Sequence, residues 1–358
     1  MRAWIGFAAA AALLAGCGQN AGGAGGAGGG AAGGPRQQVW AAGSSTVFPF
    51  ATRVAENVAR TTGGSPAKVE SLGTGGGIKL FCSGTGSSYP DIANASRPMK
   101  KSEFEACAAN GVNDVVEIKI GFDGIVIANA LNGATYDLSE EEIFRALAAD
   151  LPTGEGFAPN PNKTWADVDK TLPAERIQVY GPPPTSGTRD AFVELGMEGG
   201  AVKIPQLAEL KKSDSEAFTA RAHTIRSDGA WTDSGENDNA IVQTLTKTPG
   251  SLGVFGYSFL ENNADQVKPA TINGVKPTHE TIADGSYPLA RSLYIYVKKG
   301  NIGVTPGLRE YVAAFVSDAA TGKGGYLLER GLIPLPADQH AAMKTVAETL
   351  PVMAAPER

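Results

Sequence analysis

The sequence predicts an α/β fold in which a mostly parallel sheet carries helices on both faces. Strand-like and helix-like segments alternate through the first half of the chain, the order that parallel strands with helical crossovers produce. Three turns rich in glycine and hydroxyl side chains connect such strands to helices. Ligands of open parallel sheets bind at the carboxyl ends of the strands. The pattern therefore predicts the fold class and the position of a binding site together.

Each element has its own local signal. The strand-like segments of the first half are residues 39–42, 68–71, 91–95 and 115–128, and the helix-like segments are 51–60, 78–82 and 102–109. Ser102 with Glu105, and Ser139 with Glu142, fit the capping box that opens a helix. The apolar run 118–129 is long for one strand, and an alternating segment at 287–298 predicts a second long strand. Helices are expected at 143–149, 307–315 and 339–350.

The first residues indicate export. Arg2, an apolar run from 3 to 14 and the small residues before Cys17 are typical of a secretory signal, and the run is too short to span a membrane as a helix. Residues 14–17 also resemble a bacterial lipobox, in which Cys17 is lipidated and becomes the mature N-terminus. Plain cleavage near Gly16, which leaves a free Cys17, is the alternative. We therefore expect residues 1–16 to be a lipoprotein signal peptide.

Residues 17–37 are mostly glycine and alanine and predict a flexible tether, because such a segment cannot bury a core. About 320 residues remain, enough for one two-lobed domain or two domains. The chain has 31 basic and 37 acidic residues, a net charge of −6, and no run of lysine and arginine. This balance argues against nucleic acid as a partner.

Cysteine usage agrees with an oxidising compartment. Apart from Cys17 the chain contains two cysteines, Cys82 and Cys107, and we expect them to form a disulfide. The alternative, a metal-binding pair, lacks nearby histidines, because His223, His279 and His340 are scattered along the chain. Carboxylates crowd the segment 227–239, but without the spacing of a calcium loop they favour a solvated loop. No metal and no cofactor are expected.

The three strand-to-helix turns predict an anion site. They are residues 43–47, 73–77 and 185–189. Each leaves backbone N–H groups at the start of a helix, where the helix dipole also favours negative charge. Ordinary helix capping explains any one of these turns by itself. Three such turns, with Arg189 in the third, could converge on one small tetrahedral anion.

These residues resemble the periplasmic phosphate-binding proteins of bacterial phosphate ABC transporters, the PstS family. The resemblance runs from about residue 39 to 335, and its motifs are Gly43-Ser44-Ser45-Thr46, Gly73-Thr74-Gly75-Gly76-Gly77, Ala95-Ser96-Arg97-Pro98, Gly121-Phe122-Asp123-Gly124, Ser186-Gly187-Thr188-Arg189, Gly250-Ser251-Leu252-Gly253 and Tyr287-Pro288-Leu289. It implies a two-lobed periplasmic-binding-protein fold of type II, in which two crossing strands join two sheet-and-helix lobes. Lobe 1 would then comprise residues 38–128 and 283–358, and lobe 2 residues 129–282.

The resemblance also implies a function and its residues. The protein would bind inorganic phosphate between its lobes and deliver it to a membrane permease, as a lipid-anchored, monomeric periplasmic protein. The donors carried over are Ser45, Thr46 and the backbone at Val47 in the first turn, Thr74 in the second, and Ser186, Gly187 and Thr188 in the third.

The charged positions depart from the family pattern. Well-known members have an aspartate at the position of Arg97 and an arginine at that of Pro182. We therefore expect Arg97 or Arg189 to supply the cation. Asp123, or else Asp190 or Asp91, would supply an acceptor for the proton of hydrogen phosphate, which sulfate lacks at neutral pH.

Other functions remain open at this point. A binding protein for sulfate, molybdate or tungstate would need the same donors. A secreted hydrolase is disfavoured, since the only nucleophile motif, Ser-x-x-Lys at 65–68, lies in a glycine- and proline-rich turn and no Walker A sequence occurs. A purely structural lipoprotein is the third alternative. We expect no enzymatic activity.

Overall fold

The computed structural model describes residues 37–154, 156–235 and 238–357. The signal segment, almost the whole predicted tether and Cys17 lie outside the described residues. The first elements alternate as expected: β1 Trp40–Gly43, α1 Phe48–Thr62, β2 Lys68–Ser71, α2 Thr74–Phe81, β3 Ile92–Ala95, α3 Lys101–Ala109 and β4 Val115–Ala130.

Shorter elements follow β4: β5 Asp137–Leu138, α4 Glu140–Leu147, β6 Asp150–Thr153, β7 Gly156–Pro159, α5 Trp165–Val168, β8 Val179–Gly181 and α6 Gly187–Phe192. A π-helical segment, Val193–Met197, joins α6 directly to α7 Glu198–Ala201. Then come α8 Pro205–Ser213, α9 Ser215–Ala222, β9 Trp231–Asp233, α10 Asp238–Lys247, β10 Leu252–Gly256, α11 Tyr257–Asn262, β11 Val267–Pro269, β12 Thr271–Ile272 and α12 His279–Ala283. The chain ends with β13 Ala290–Lys298, α13 Leu308–Phe315, α14 Asp318–Thr321 and α15 Ala337–Thr349.

Nine strands form one continuous sheet in the order β2-β1-β3-β13-β4-β10-β8-β9, with β11 also paired to β4. The pairs β2–β1–β3 are parallel, and so are β10–β8–β9. The long strands β4 and β13 run antiparallel to each other in the middle. They link a parallel region on each side, so the expected alternation and both long strands are confirmed.

Two apolar cores lie along this sheet. Residues of α1, α13 and the first half of β4, including Ile120, pack in one core. The second core begins with Phe122 and includes β10, α4 and α10. A smaller cluster around Phe81 and Cys107 lies under α2 and α3. The strand β4 thus passes from one core to the other near Gly121; the exact lobe boundaries stay a prediction.

Glycines let α2 pack directly on β1. A Cβ atom at Gly77 would lie 2.2 Å from Gly43 Cα, and one at Gly43 would lie 2.1 Å from Asn94 O. Only hydrogen side chains permit this approach.

The expected disulfide Cys82–Cys107 is present and joins the ends of α2 and α3.

One of the two expected capping boxes is confirmed. Ser139 Oγ accepts from the Glu142 backbone N–H, and the Glu142 carboxylate accepts from the Ser139 backbone N–H. The box predicted for Ser102 and Glu105 is wrong, since α3 begins earlier and Glu103 accepts from the Lys100 backbone N–H.

No helix among residues 37–154, 156–235 and 238–357 combines the length and apolar character needed to cross a membrane.

Candidate functional site

The first glycine- and hydroxyl-rich turn connects β1 to α1. Ser44 N–H donates to Asn94 O at 2.9 Å, and Ser44 Oγ accepts from the Val47 N–H at 3.3 Å. Pro49 stands in the first turn of α1, where a missing N–H costs no helical hydrogen bond. These contacts fix the turn and leave the Thr46 side chain, only 5% exposed, at its outer edge facing the second lobe.

The second turn leads from β2 into α2. Gly73 has a φ of 71°, a left-handed conformation that glycine adopts without strain, and Thr74 is the first residue of the helix. Thr74 Oγ1 accepts from the Ser96 N–H at 3.1 Å and lies 3.0 Å from Ser96 Oγ. The second turn is therefore tied to the end of β3, where Arg97 follows.

The third turn opens α6, and it meets the first. Ser186 is the N-cap: its Oγ accepts from the Thr188 N–H at 3.2 Å. A Cβ atom at Gly187 would lie 3.0 Å from Thr46 Cα, and Thr46 Oγ1 donates to Gly187 O at 3.3 Å. The structure thus brings together the first and third turns, on opposite sides of a cleft between the two cores.

The two arginines expected to supply the cation contact carboxylates elsewhere. Arg97 binds Glu103 in bidentate fashion, with N–O distances of 2.9 and 2.7 Å. This hydrogen bond raises the pKa of the Arg97 guanidinium further above its ordinary value. Arg189 donates to Asp233 Oδ1 at 3.0 Å and lies over the ring of Trp231, 4.5 Å from its centroid. Both guanidinium groups therefore have structural partners.

A third arginine, Arg291 on β13, lies at the centre of the cleft. Its Nε donates to Asp123 Oδ2 at 3.4 Å, its Nη2 donates to Thr46 Oγ1, and its Nη1 contacts Glu194 Oε2. The Arg291 side chain is 7% exposed and that of Asp123 11%. Burial raises the pKa of Asp123 above its ordinary value, an effect that the charge of Arg291 opposes in part.

Two cavities border this cluster. Cavity A, about 270 Å³, is lined among others by Thr46, Asp123, Ser186, Gly187 and Thr188. Cavity B, about 660 Å³, is lined among others by Thr74, Ser96, Arg97, Glu194 and Arg291. Most of the expected donors and the expected acceptor Asp123 thus share cavity A, whereas Thr74 and Arg97 lie in cavity B. Larger or similar cavities beside α15 and between α1 and α13 contain none of these residues.

The remaining predicted residues have contacts of their own. Ser45 Oγ donates to Asp190 Oδ2 across the cleft, so both side chains join the two lobes. Asp91 is fully buried at the start of β3, where it accepts from Thr305 Oγ1 at 2.9 Å and from the Trp40 N–H at 2.9 Å, at the end of the strand away from the cleft. Within the described part of the chain, no group of three or more histidine, cysteine or acidic residues is placed to hold a metal ion.

Sequence reasoning missed Arg291 and Glu194. Arg291 precedes Leu293, Ile295 and Val297 at two-residue spacing, so an arginine occupies the buried register of an alternating strand. A buried charge without a partner is costly, so an arginine in this register indicates a buried anionic partner or ligand. This was the available signal for Arg291. Glu194 carries no comparable signal, because its partner is 97 residues away.

The chain matches the family model PBP_like_2, described as a PBP superfamily domain, over residues 29–319. It is 31% identical over 318 residues to protein SphX of Synechococcus elongatus, covering 86% of this chain and 80% of that protein. It is 30% identical over 305 residues to the phosphate-binding protein PstS of Staphylococcus saprophyticus, covering 84% and 81% of the two chains.

A solved structure agrees with these relatives. The crystal structure of a "possible phosphate binding protein" from Planctomyces limnophilus superposes with a TM-score of 0.70 at 27% sequence identity, over 88% of this chain and 99% of that one. The region matched by the family model, residues 29–319, contains all three turns and both crossing strands. The chain therefore belongs to the PBP superfamily of two-lobed binding proteins and, within it, to the phosphate-binding PstS and SphX family.

Proposed function

We propose that this protein binds inorganic phosphate in cavity A and delivers it to the permease of an ABC transporter. One observation carries the proposal: Thr46, Asp123 and the Ser186–Thr188 turn line the same small cavity, and Arg291, which lines the neighbouring cavity B, donates to both Thr46 and Asp123. The name of its relative PstS, a phosphate-binding protein, agrees with it.

The donors suit a tetrahedral oxyanion. The N–H groups at the start of α6 point along its axis, where the helix dipole favours negative charge, although the Thr188 N–H already donates to Ser186 Oγ. The hydroxyl groups of Thr46, Ser186 and Thr188 add rotatable donors around the same cavity. Arg291, through its contacts with Asp123 and Thr46, supplies the positive charge beside this cavity, so we assign it the role expected of Arg97 or Arg189.

Asp123 gives the site a means to choose phosphate over sulfate. Hydrogen phosphate has an O–H that can donate to the buried carboxylate, whereas sulfate at neutral pH presents acceptors alone. A fully deprotonated oxyanion against this carboxylate would leave two buried acceptors unpaired, which costs affinity.

Titration calorimetry of the full chain in detergent tests the proposal. Bound anion is first removed by partial unfolding and refolding, and phosphate, sulfate and molybdate are then titrated separately. We expect phosphate to give the heat of tight binding at a 1:1 ratio, and sulfate and molybdate to give little heat. Heat from sulfate or molybdate alone would keep the site and change its ligand, and no heat from any anion would contradict a binding function.

We also propose that Cys17 carries a lipid that holds this monomeric protein on the periplasmic face of a membrane. The lipobox-like residues 14–17 and the glycine-rich tether support this arrangement. Metabolic labelling with an alkyne fatty acid should mark the wild-type chain and leave Cys17→Ala unmarked.

The protein is expected to act by binding alone, so the purified chain should release no phosphate from nitrophenyl phosphate.

A further inference from the structure

Two carboxylates of the second lobe reach across the cleft from one side of the helix that begins at Gly187. Asp190 lies in α6 and Glu194 in the π-helical segment that follows it, four residues later, so the two side chains lie on neighbouring turns. Asp190 Oδ2 accepts from Ser45 Oγ in the first-lobe turn. Glu194 Oε2 accepts from Arg291 Nη1 on the crossing strand β13.

Arg291 connects Glu194 to the first lobe. Its Nη2 donates to Thr46 Oγ1 while its Nη1 binds Glu194, so one guanidinium joins the second-lobe carboxylate to the first-lobe donor turn. A rigid planar fork suits this, because each edge of the group takes a different partner. Together the Asp190–Ser45 and Glu194–Arg291–Thr46 contacts form what we term the clasp.

The surroundings decide how much the clasp contributes. Glu194 is half exposed, and an ion pair between two exposed side chains usually contributes little. Arg291 is 7% exposed, however, and breaking a contact of a buried charge costs more than breaking a surface pair. The clasp should therefore contribute measurably, though less than the buried Asp123–Arg291 pair.

The two carboxylates of the clasp lie outside the proposed ligand site, whereas Thr46 and Arg291 belong to both the clasp and the site. Neither Asp190 nor Glu194 is among the residues that line cavity A, whereas Thr46 and Asp123 are. Glu194 faces cavity B on the other side of Arg291. The clasp contacts can therefore persist while an anion is bound in cavity A.

We propose that Asp190 and Glu194 are positioning residues that fasten the second lobe onto the first in the closed form. An interaction made only in the closed form shifts the equilibrium towards it and slows release of whatever is enclosed. The effect on ligand rests on the proposed phosphate binding, whereas the effect on closure does not. The clasp should therefore alter dissociation much more than association, and leave the choice between phosphate and sulfate unchanged.

The test compares the full chain in detergent with the double variant Asp190→Ala, Glu194→Ala. Alanine is the best helix former, so the double variant should still form this helix. Glu209→Ala is the matched control, because Glu209 is an exposed second-lobe glutamate paired at 3.2 Å with Lys212 on its own helix. Nitroxide labels at Glu105→Cys in α3 and Gln243→Cys in α10 report the distance between the lobes by pulsed electron resonance.

Without added anion, we expect the double variant to show longer and broader distances than the wild type and the Glu209→Ala control. Phosphate should dissociate about tenfold faster from the double variant in stopped-flow measurements, with association changed less than about twofold. Unchanged distances would overturn the clasp whatever the kinetics, and changed distances with an unchanged dissociation rate would overturn its effect on affinity. If wild type and variants alike fail to bind phosphate, the proposed function fails, and the distances alone decide on the clasp.

Discussion

Asp123 and Arg291 face each other as Cα partners on the antiparallel strands β4 and β13, and Arg291 Nε donates to Asp123 Oδ2 at 3.4 Å. Both side chains are largely buried at the point where the two strands pass between the cores. The pair thus places a cation and an acceptor on the two long central strands, while the donor turns come from either side.

Replacing Asp123 with asparagine should reduce the discrimination between phosphate and sulfate. The amide N–H₂ can donate to sulfate, so the penalty against a fully deprotonated anion disappears. We expect the ratio of the two affinities to fall by about 10- to 100-fold in calorimetric titrations. Asp265→Asn, at an exposed position, is the control, and an undiminished ratio in Asp123→Asn would move the acceptor role elsewhere.

Arg291→Gln should weaken phosphate binding more than Arg97→Gln. Loss of a hydrogen bond from a charged group costs about 1.5–3 kcal/mol, which corresponds to roughly 10- to 100-fold in affinity. The Arg97 guanidinium is bound to Glu103, so its loss should change affinity by less than about threefold. The reverse order of effects would make Arg97 the cation of the site, one of the two arginines that the sequence predicts.

Gly77→Ala should destabilise the fold, whereas Gly75→Ala in the same helix should not. The new Cβ at residue 77 would lie 2.2 Å from Gly43 Cα, between two backbones that have no room to separate. Overpacking of this kind costs about 1–3 kcal/mol in urea unfolding. At residue 75 the nearest atom is Arg97 Nη2 at 3.9 Å, so alanine there should stabilise α2 slightly.

The disulfide should contribute to stability without being needed for ligand contact. Its two cysteines are 25 residues apart, and the chain-entropy estimate for such a loop is about 3–4 kcal/mol. The double variant Cys82→Ser, Cys107→Ser should unfold at correspondingly lower urea and still bind phosphate at low temperature. Equal unfolding midpoints with and without the disulfide would show that α2 and α3 hold together by packing alone.

Glu198, which lines cavity B and not cavity A, should make the stability of the fold depend on pH. Its hydrogen bond with His223, and a further one from Lys211, lower its pKa from 4.5 to about 2 against the opposing effect of burial. Because the folded-state pKa lies below the unfolded one, this stabilisation is present above about pH 4.5 and is lost as the pH falls towards 2. Glu198→Gln should therefore be less stable than wild type at pH 6, by about 1–2 kcal/mol after allowance for solvent screening, and equally stable near pH 2.

Local signals predicted the local structure well. The strand at 68–71 and the box formed by Ser139 and Glu142 depend on neighbours in the sequence, and both are confirmed. The box assigned to Ser102 and Glu105 failed because α3 begins at Lys101, so that Glu103, already bound to Arg97, takes the capping position instead. The two sequence patterns are equivalent, and the contact between Glu103 and Arg97, which lies outside the pattern, distinguishes them.

The positions of charges in the site could not be read from local signals. Whether an arginine faces a ligand depends on which carboxylates lie near it. Glu103 is only 6 residues from Arg97, but Asp233 is 44 residues from Arg189 and Asp123 is 168 residues from Arg291. The turns that donate hydrogen bonds were predictable because their function depends on backbone conformation. Glycine and hydroxyl residues in the sequence indicate that conformation.

The path of β4 and β13 through both cores has a consequence for the order of folding. The second core is built mainly from one continuous stretch, from Phe122 to Leu289, with Ile333 and Leu335 added from the end of the chain. The first core joins Val39 and its neighbours to residues as late as Leu350. Contacts between such distant residues form slowly, because a long loop must close before they contribute. We therefore expect the lobe in the middle of the sequence to fold first, and the lobe that contains both ends of the folded chain to fold onto it.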